Sequence, residues 1–390
     1  MKKIRLGDLV NTSSGATPLS SNKEYYENGD IPWINSGEVG QYKINFAEKF
    51  ITKEGFEKSN TKIFPKDTIL VAMYGATAGK TSILNINACT NQAVCAILPS
   101  ENVNNIFLKY KLDSIYDYLV QISSGSARDN LSQKVIQDLE INLPLLETQQ
   151  KIAKILSDID DKIEVLHQIN DNLAELAKTI YDYWFVQFDF PDENGKPYKT
   201  SGGKMVYNEV LKREIPEGWE VKSLGEIAEL YQPKTISEKE MLTNGKYLVY
   251  GANGIVGRYD QYNHTEPMVT ITCRGNTCGN INFTEPFSWI TGNAMVVKSK
   301  NNYSIDYLYN LLSISNIKKV ISGSAQPQIT RTNLETLLCI APNDRVIKLY
   351  DSYTNKYFEQ RLNNSKQIQH LRSLRDWLLP MLMNGQISVE

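Results

Sequence analysis

The sequence has few of the residues that build disulfides or metal centres. Its five cysteines are an odd number and include no Cys-x-x-Cys pair. That pattern argues against a disulfide framework and suits a reducing compartment. The chain has only three histidines besides these cysteines, so it contains few residues that could form a Cys/His metal site. We therefore expect neither a disulfide network nor a metal in this chain.

Long hydrophobic runs and an excess of one charge are also missing. No run approaches 18 apolar residues, and residues 1–5 lead into polar sequence rather than the apolar core of a signal peptide. We therefore predict a cytoplasmic protein without a membrane partner.

The 42 Lys and Arg residues nearly balance 44 Asp and Glu residues, giving a net charge of −2. This balance excludes a global positive field that would attract nucleic acid, although it leaves room for local patches.

What the sequence does contain is an internal duplication along its 390 residues. The segment LGDLV at 6–10 returns as LGEIA at 224–228, a displacement of 218 residues. GATAG at 75–79 returns as GNTCG at 275–279, displaced by 200, and SGSA at 124–127 returns at 322–325, displaced by 198. Matches in the same order at nearly one spacing indicate two related halves.

Each half begins with β-branched and aromatic runs broken by Gly, Asn and Pro, a pattern typical of a mixed domain, and ends in a helical segment. We predict an α+β fold, in which two tandem-duplicated mixed α/β domains are separated by a long antiparallel two-helix coiled coil. The predicted boundaries are 1–146, 147–187, 188–342 and 343–390. Residues 189–218, rich in Gly and Pro, read as a linker or extended strap.

The first helical segment carries a regular heptad pattern. Its apolar stripe, with one polar member, consists of Ile152, Leu156, Ile159, Ile163, Leu166, Asn170, Leu173, Ala177, Ile180 and Trp184. Steps of four and three residues predict a coiled-coil seam, in which Asn170 would fix the register. The second stripe is less regular and polar in its middle: Tyr350, Tyr353, Tyr357, Ile368, Leu371, Leu374, Leu378 and Leu382. Antiparallel pairing of the two helices would bury both stripes.

Catalytic motifs are weak or missing. The segment GATAGKT at 75–81 has three residues where a phosphate-binding loop needs four, and the second half replaces Lys80 with Asn280. The acidic segment at 191–196 lacks the carboxylate-x-lysine spacing of a nuclease. The sequence also has no Gly-x-Ser-x-Gly, His-Glu-x-x-His or base-methyltransferase tetrapeptide. We therefore assign no catalytic residue, and nucleotide binding stays a disfavoured alternative.

Polar, glycine-containing loops recur at equivalent places in both halves. Arg, Asn, Gln, Ser and Thr read base edges or hold phosphates, and glycine permits close backbone approach. Each loop alone is typical of an ordinary surface turn, but recurrence in both halves favours a recognition role. A scaffold whose two heads bind protein or glycan remains an alternative.

Together these features resemble the DNA-specificity subunit of type I restriction-modification systems, over nearly the whole chain. The similar segments are the two LGD/LGE openings, DIPWI at 30–34, LPLLETQ at 143–149, IPEGWEV at 215–221, YGANGIVG at 250–257 and the two SGSA segments. The resemblance implies two target-recognition domains, 1–146 and 188–342, each reading half of a bipartite asymmetric DNA site. The helices 147–187 and 343–390 would set the spacing and dock two methyltransferase subunits.

The resemblance also implies that this chain is not itself an enzyme and carries no cofactor. S-adenosylmethionine, ATP and Mg would be bound by partner subunits, which include the methyltransferase and possibly a restriction/translocase subunit. One departure is that the second half has PND at 342–344 and lacks the LLETQ of the first helix, so the two helical segments offer different sequences to the two methyltransferases.

The residues expected to act follow from these assignments. For contact with double-stranded DNA we predict Tyr74, Thr77, Lys80, Arg128, Asn130, Asn253, Arg274, Asn276, Gln326, Gln328 and Arg331. For the spacer helices and partner binding we predict Ile152, Ile159, Leu166, Leu173, Ile180, Leu371 and Leu378. Basic and acidic residues are equal in number in each predicted head. We therefore expect weak DNA binding by this chain without its partners.

Overall fold

A computed structural model describes residues 2–124, 131–300, 303–323 and 326–389 of the chain. The chain forms two compact units. Unit 1 comprises Met1–Val165 and Gln367–Glu390, and unit 2 comprises Leu166–Lys366. Two long helices, α5 (Leu146–Tyr181) and α9 (Asp344–Met383), each contribute residues to both units.

Unit 1 is a mixed α/β structure. Its strands are β1 (Lys2–Arg5), β2 (Thr12–Ser14), β3 (Ile31–Ile34), β4 (Lys43–Ile44), β5 (Lys49–Ile51), β6 (Ile63–Phe64), β7 (Ile69–Ala72), β8 (Thr81–Leu84), β9 (Ala88–Thr90), β10 (Val94–Ile97) and β11 (Glu140–Leu143). Its shorter helices are α1 (Lys53–Glu57), α2 (Asn105–Asp113), α3 (Tyr116–Ser124) and α4 (Gln133–Gln137). The strands form sheets ordered β2-β10-β7-β8-β4 and β5-β3-β9-β6, together with the antiparallel pair β1-β11.

Unit 2 repeats this plan with differences. Its strands are β12 (Met205–Asn208), β13 (Arg213–Pro216), β14 (Glu220–Ser223), β15 (Ala228–Tyr231), β16 (Tyr247–Gly251), β17 (Gly254–Tyr259), β18 (Val269–Thr272), β19 (Ile281–Phe283), β20 (Trp289–Ile290), β21 (Ala294–Ser299), β22 (Ile321–Ser322), β23 (Gln328–Ile329) and β24 (Leu338–Ala341). Its shorter helices are α6 (Leu224–Ile227), α7 (Ile305–Ile314) and α8 (Arg331–Glu335). The sheets are β15-β21-β18-β19 and β17-β16-β20, with the pairs β14-β24, β12-β13 and β22-β23.

The central strand β7 explains why the first half contains a continuous apolar run. All four of its residues are buried, because each face of the strand meets a different core. Ile69 and Val71 belong to the cluster that includes Phe107 of α2, whereas Leu70 and Ala72 belong to the cluster around Ile34. A strand covered on both faces loses the polar alternation of a half-exposed strand.

The duplication is visible at the level of individual backbone hydrogen bonds. Gly79 N–H donates to Ala72 O and Gly279 N–H to Thr272 O, both at 2.9 Å. Leu6 N–H donates to Leu139 O at 2.8 Å, and Leu224 N–H donates to Leu337 O at 2.7 Å. The parallel pairing of β3 with β9 has its counterpart in β16 with β20. Each half therefore folds on the same framework.

The expected linker is a folded part of unit 2. Phe190 stacks on Tyr198 and on Trp219, with ring centroids 4.6 and 4.9 Å apart. Asp189 accepts hydrogen bonds from both the backbone N–H and the hydroxyl of Thr200. Residues beyond these form the antiparallel hairpin β12-β13. The glycines and prolines here shape a packed segment, and the prediction of an extended strap is wrong on this point.

The long helices run antiparallel to each other within each unit. In unit 2, Tyr181 contacts Tyr350, while Asn170, earlier on α5, contacts Asn364, later on α9. In unit 1, Asp160 accepts a hydrogen bond from Arg375, and Ile152, earlier on α5, shares a buried cluster with Leu382, later on α9. Helix α9 ends at Met383, before the end of the predicted segment 343–390, and α5 gives way at Asp182 to a π-helical turn that ends at Val186. No described helix is long and apolar enough to cross a membrane.

The stripe of α9 differs from the predicted one at two positions. Tyr353 and Leu374 are 45% and 44% exposed, so neither lies in the buried seam. Their places are taken by the next residues, Thr354 and Arg375, which are buried and half-buried respectively. With these corrections the seam keeps steps of three and four residues throughout: Ile347, Tyr350, Thr354, Tyr357, Arg361, Asn364, Ile368, Leu371, Arg375, Leu378 and Leu382.

Candidate nucleic-acid interface

In unit 1, two loops that follow strands β3 and β7 contact each other. The first follows β3 and is ordered by Asn35 and Glu38, whose side chains cap each other's backbone N–H groups. The second joins β7 to β8 and contains Gly75 and Gly79, with φ of +76° and +83°. Because L side chains rarely adopt this region, glycine is required for so tight a turn. Thr77 Oγ1 donates to Ser36 O at 2.7 Å and thereby holds the two loops together.

Unit 2 has the same arrangement with different side chains. Gly275 and Gly279 have φ of +83° and +93°, matching the turn of unit 1. Here the hydroxyl comes from the strand before the second loop, since Thr272 Oγ1 at the end of β18 donates to Ala252 O. Asn280 Nδ2 also donates to Asn253 Oδ1 at 3.2 Å. We call residues 35–38 and 73–80 of unit 1, and residues 251–254 and 273–280 of unit 2, the paired loops.

The paired loops of unit 1 contain three of the residues predicted to contact DNA. Tyr74 is 36% exposed and Lys80 is also exposed. The Lys80 stem lies against Gly40, where an added Cβ would come within 2.9 Å of Lys80 Cδ. Thr77 is half-buried and its hydroxyl proton is engaged by Ser36, so its role in the structure is to position the loops. Arg128 and Asn130 lie outside the described residues.

The structure brings several predicted residues of unit 2 together. Asn253, Arg274 and Asn276 are exposed on the paired loops. Gln328 joins them, because it forms an isolated β-bridge with Arg274, and Gln326 precedes it on the same exposed segment. Arg331 begins α8, and its Nε donates to Glu335 at 2.7 Å. This exposed ion pair contributes little to stability, but it restricts the orientation of the Arg331 guanidinium.

The turn at 75–81 also bears on nucleotide binding. A phosphate-binding loop delivers its phosphates to the N-terminus of the helix that follows. Here the turn leads into strand β8, and its counterpart leads into β19. Both turns are therefore strand-to-strand connections. Within each unit, the contact of this turn region with the other loop was not visible in the sequence. It is made by Thr77 in unit 1 and by Thr272 at the end of β18 in unit 2, and each hydroxyl bonds a carbonyl of a distant segment.

The predicted spacer residues of α5 all point away from open solvent. Ile152 and Leu166 are buried, and Ile159, Leu173 and Ile180 are half-buried. On α9, Leu371 and Leu378 are half-buried. What sequence analysis missed is the polar part of the α9 seam, which is made of Thr354, Arg361, Asn364 and Arg375.

These polar seam residues have specific partners. In unit 1, Asp160 is 4% exposed, accepts from Tyr110 Oη at 2.6 Å and from Arg375 Nη1 at 2.7 Å. Burial opposes ionisation of Arg375, but the Asp160 carboxylate raises its pKa above the usual value. Burial, together with the same carboxylate, raises the pKa of Tyr110. A buried carboxylate with a cation and a hydroxyl is thus built into this unit.

In unit 2, Arg361 occupies the middle of the seam. It is 8% exposed, and its guanidinium carbon lies 4.7 Å from the centroid of the Phe283 ring. Its Nη1 is 3.9 Å from Asp306 Oδ1. Burial raises the pKa of Asp306 to about 6, although Arg361 acts in the opposite direction. Burial also raises the pKa of Asp351.

The outer faces of the long helices expose apolar side chains. In unit 1 these include Ile155, Val165 and Trp377, which are 37%, 46% and 54% exposed. In unit 2, Ile169 and Leu176 lie seven residues apart on one face of α5 and are 39% and 49% exposed, and Tyr183, in the π-helical turn that follows, is 45% exposed. Large exposed apolar side chains in a regular row are typical of a helix that packs against a partner.

Over the described ranges, no group of three or more His, Cys, Asp or Glu residues is arranged to hold a metal ion.

Comparison with known proteins gives one consistent family. The family model described as type I restriction modification DNA specificity domain matches residues 1–175 and 216–344. The type I restriction enzyme MjaIX specificity subunit of Methanocaldococcus jannaschii is 31% identical, over 100% of this chain and 94% of the relative. The HindI specificity subunit of Haemophilus influenzae is 25% identical, over 99% of both chains. A crystal structure of the type I restriction-modification S subunit from M. genitalium has the same fold, with a TM-score of 0.58, 19% identity and coverage of 98% and 95%.

Proposed function

The chain belongs to the type I restriction-modification DNA specificity family, and from this premise we propose that it is the non-catalytic subunit that selects the DNA site for a modification and restriction complex. Unit 1 reads one half of a bipartite, gapped duplex site, and unit 2 reads the other half. The selected site is methylated on adenine or cut by partner subunits in the cytoplasm.

The observation that carries this proposal is the pair of loops that each unit builds on the same framework. Both pairs have glycine turns and are held by a threonine-to-carbonyl hydrogen bond, from Thr77 within the loops of unit 1 and from Thr272 at the end of β18 in unit 2. They nevertheless expose different side chains: Tyr74 and Lys80 in unit 1, and Asn253, Arg274 and Asn276 in unit 2. A rigid base with interchangeable polar side chains suits the reading of two unrelated half-sites.

The long helices serve as spacer and docking element in this proposal. The regular buried seams support an antiparallel coiled coil that fixes the distance between the two half-sites. The exposed rows that include Ile169 and Leu176 bind two methyltransferase subunits. These partners carry S-adenosylmethionine, and a restriction/translocase partner uses ATP and Mg. Because basic and acidic residues balance in this chain, the partners also supply positive charge around the DNA.

Selection from random duplex DNA tests the function. The full chain, in complex with its methyltransferase partner, is bound to a random duplex library, and retained molecules are sequenced over several rounds. We expect enrichment of one asymmetric motif with two constant parts and an unselected gap. Retention without any enriched gapped motif would refute site selection and favour the alternative of a scaffold whose heads bind protein or glycan.

A further inference from the structure

The hairpin β16-β17 carries an exposed apolar pair directly beside the paired loops of unit 2. Ile255 is 55% exposed and Val256 is 53% exposed, although they are consecutive residues of one strand. In a regular strand, consecutive side chains point to opposite faces. The joint exposure of both therefore needs a local cause.

A β-bulge supplies that cause. Tyr250 pairs with Ile255 and Val249 pairs with Gly257, so Val256 is the extra residue with no partner in the register. Bulges bend a strand and redirect its side chains. Gly251 is needed at this bulge, because an added Cβ there would come within 2.6 Å of Val256 Cγ1. The Val256 side chain thus lies across the bare backbone of Gly251.

The hairpin is attached to the loops that present polar groups. Its tip accepts hydrogen bonds at Ala252 O from Thr272 and at Asn253 Oδ1 from Asn280. The apolar pair consequently has a fixed position next to the side chains expected to touch DNA. Two adjacent exposed aliphatic side chains at this position differ from a single exposed aliphatic residue elsewhere on the surface.

Unit 1 has a polar turn at the corresponding place. The correspondence is given by the bonds Asn91 N–H to Ile34 O and Thr291 N–H to Tyr250 O, which link equivalent strands. After Ile34 the chain enters the short 3-10 turn Ser36–Glu38, and the next apolar residue, Val39, is 2% exposed. The exposed apolar pair is thus a feature by which unit 2 differs from unit 1.

We propose that Ile255 and Val256 read thymine in one half-site by covering its C5 methyl group in the major groove. This inference rests on the proposed function and adds a specificity element to it. Thymine is the base that presents a methyl group there, and aliphatic side chains are its usual contacts. Polar neighbours such as Arg274 and Asn276 read hydrogen-bonding edges, whereas this pair reads apolar surface.

Deoxyuridine scanning tests the inference, because deoxyuridine lacks only the C5 methyl group and pairs like thymine. On the motif selected with the full complex, each thymine is replaced in turn and binding is measured. Burial of one methyl group corresponds to roughly a fourfold change in affinity. We expect about a fourfold loss at one or two thymines within a single half-site. A selected site without a methyl-sensitive thymine overturns the inference.

A variant then connects that loss to the hairpin. I255A/V256A is compared with V206A/V210A, which truncates two exposed valines on the hairpin β12-β13 of the same unit. Loss of methyl sensitivity in the first variant and its retention in the second support the inference. Unchanged sensitivity in I255A/V256A, or equal weakening on every duplex, overturns it. Failure of the wild-type complex to select any gapped motif would instead remove the proposed function, and this inference with it.

Discussion

Asn364 of helix α9 donates its side-chain amide to Asn170 Oδ1 of helix α5 across 2.8 Å, inside unit 2. Asn364 is 1% exposed, and its own Oδ1 accepts from Gln360 Nε2 at 2.8 Å. The single polar residue of the α5 stripe is therefore matched by a polar residue of the α9 stripe. Buried amides that satisfy each other favour one register over its neighbours.

Removing one member of this pair should destabilise unit 2. Asn170→Leu leaves the buried Asn364 amide without that acceptor, which costs about 1–3 kcal/mol. The double variant N170L/N364L should lose less than the sum of the two single variants, because no orphaned amide remains. Urea unfolding of the four proteins measures the coupling. Strict additivity would mean that the two amides do not act as a pair.

The buried carboxylate of unit 1 should depend on its cation. Arg375→Met leaves Asp160 with the Tyr110 hydroxyl alone, and we expect a loss of about 3 kcal/mol. Arg345→Met, on an exposed position of the same helix, is the matched control and should stay within about 0.5 kcal/mol of wild type. Thermal unfolding measures both. Equal, small effects of the two substitutions would contradict a structural role for the Asp160–Arg375 pair.

The stability of unit 2 should depend on pH through Asp306. Its pKa is raised from 3.8 to about 6, so between these values the folded state holds a proton that the unfolded chain releases. The stability that Asp306 contributes should therefore be fully present below pH 3.8 and be lost, by about 1–3 kcal/mol, as pH rises through 6. In Asp306→Asn this fall should shrink, with a remainder from Asp351. Unfolding free energies from pH 4 to pH 8 check it, and an unchanged slope in the variant would contradict the assignment.

The glycine turns should affect one half-site each. A Cβ added at Gly75 or Gly275 meets nothing within 4 Å, so alanine is disfavoured by the positive φ alone, at about 1–2 kcal/mol. We expect Gly75→Ala to weaken discrimination in one half-site and Gly275→Ala in the other. Gly195→Ala has the same strain with φ of +75° and equal space, and it lies outside the paired loops. Selection experiments that gave the same motif loss for all three variants would argue against separate reading by the two units.

Arg274 should read bases rather than only phosphates. Arg274→Ala should relax discrimination at one or two positions of one half-site by about 1–3 kcal/mol, the value of a bidentate base contact. Arg345→Ala, on an exposed position of α9 outside the predicted DNA contacts, is the control and should leave discrimination unchanged. Binding to duplexes with single base changes measures both. Uniform weakening on all sequences by Arg274→Ala would show that this arginine holds phosphate.

The sequence by itself determined the duplication, the glycine turns and the seam of α5. These features are local or repetitive: a positive φ favours glycine, and the period of apolar residues specifies one face of a helix. The match of GATAG with GNTCG therefore anticipated two turns that share their backbone hydrogen bonds. The family resemblance rested on two repeated segments, the LGD/LGE openings and SGSA, together with unrepeated segments such as DIPWI and IPEGWEV.

Only the tertiary structure decided which polar residues are buried and what they contact. Arg361, Asn364 and Arg375 look solvent-facing in a hydropathy pattern, because the groups that satisfy these polar side chains in the seam are distant in the sequence. Asn170, Asp160 and Asp306 supply those partners from other segments of the chain. The folding of the strap into unit 2 and the bulge at Val256 have the same origin. Each depends on a neighbour that folding brings close and that no local pattern in the sequence specifies.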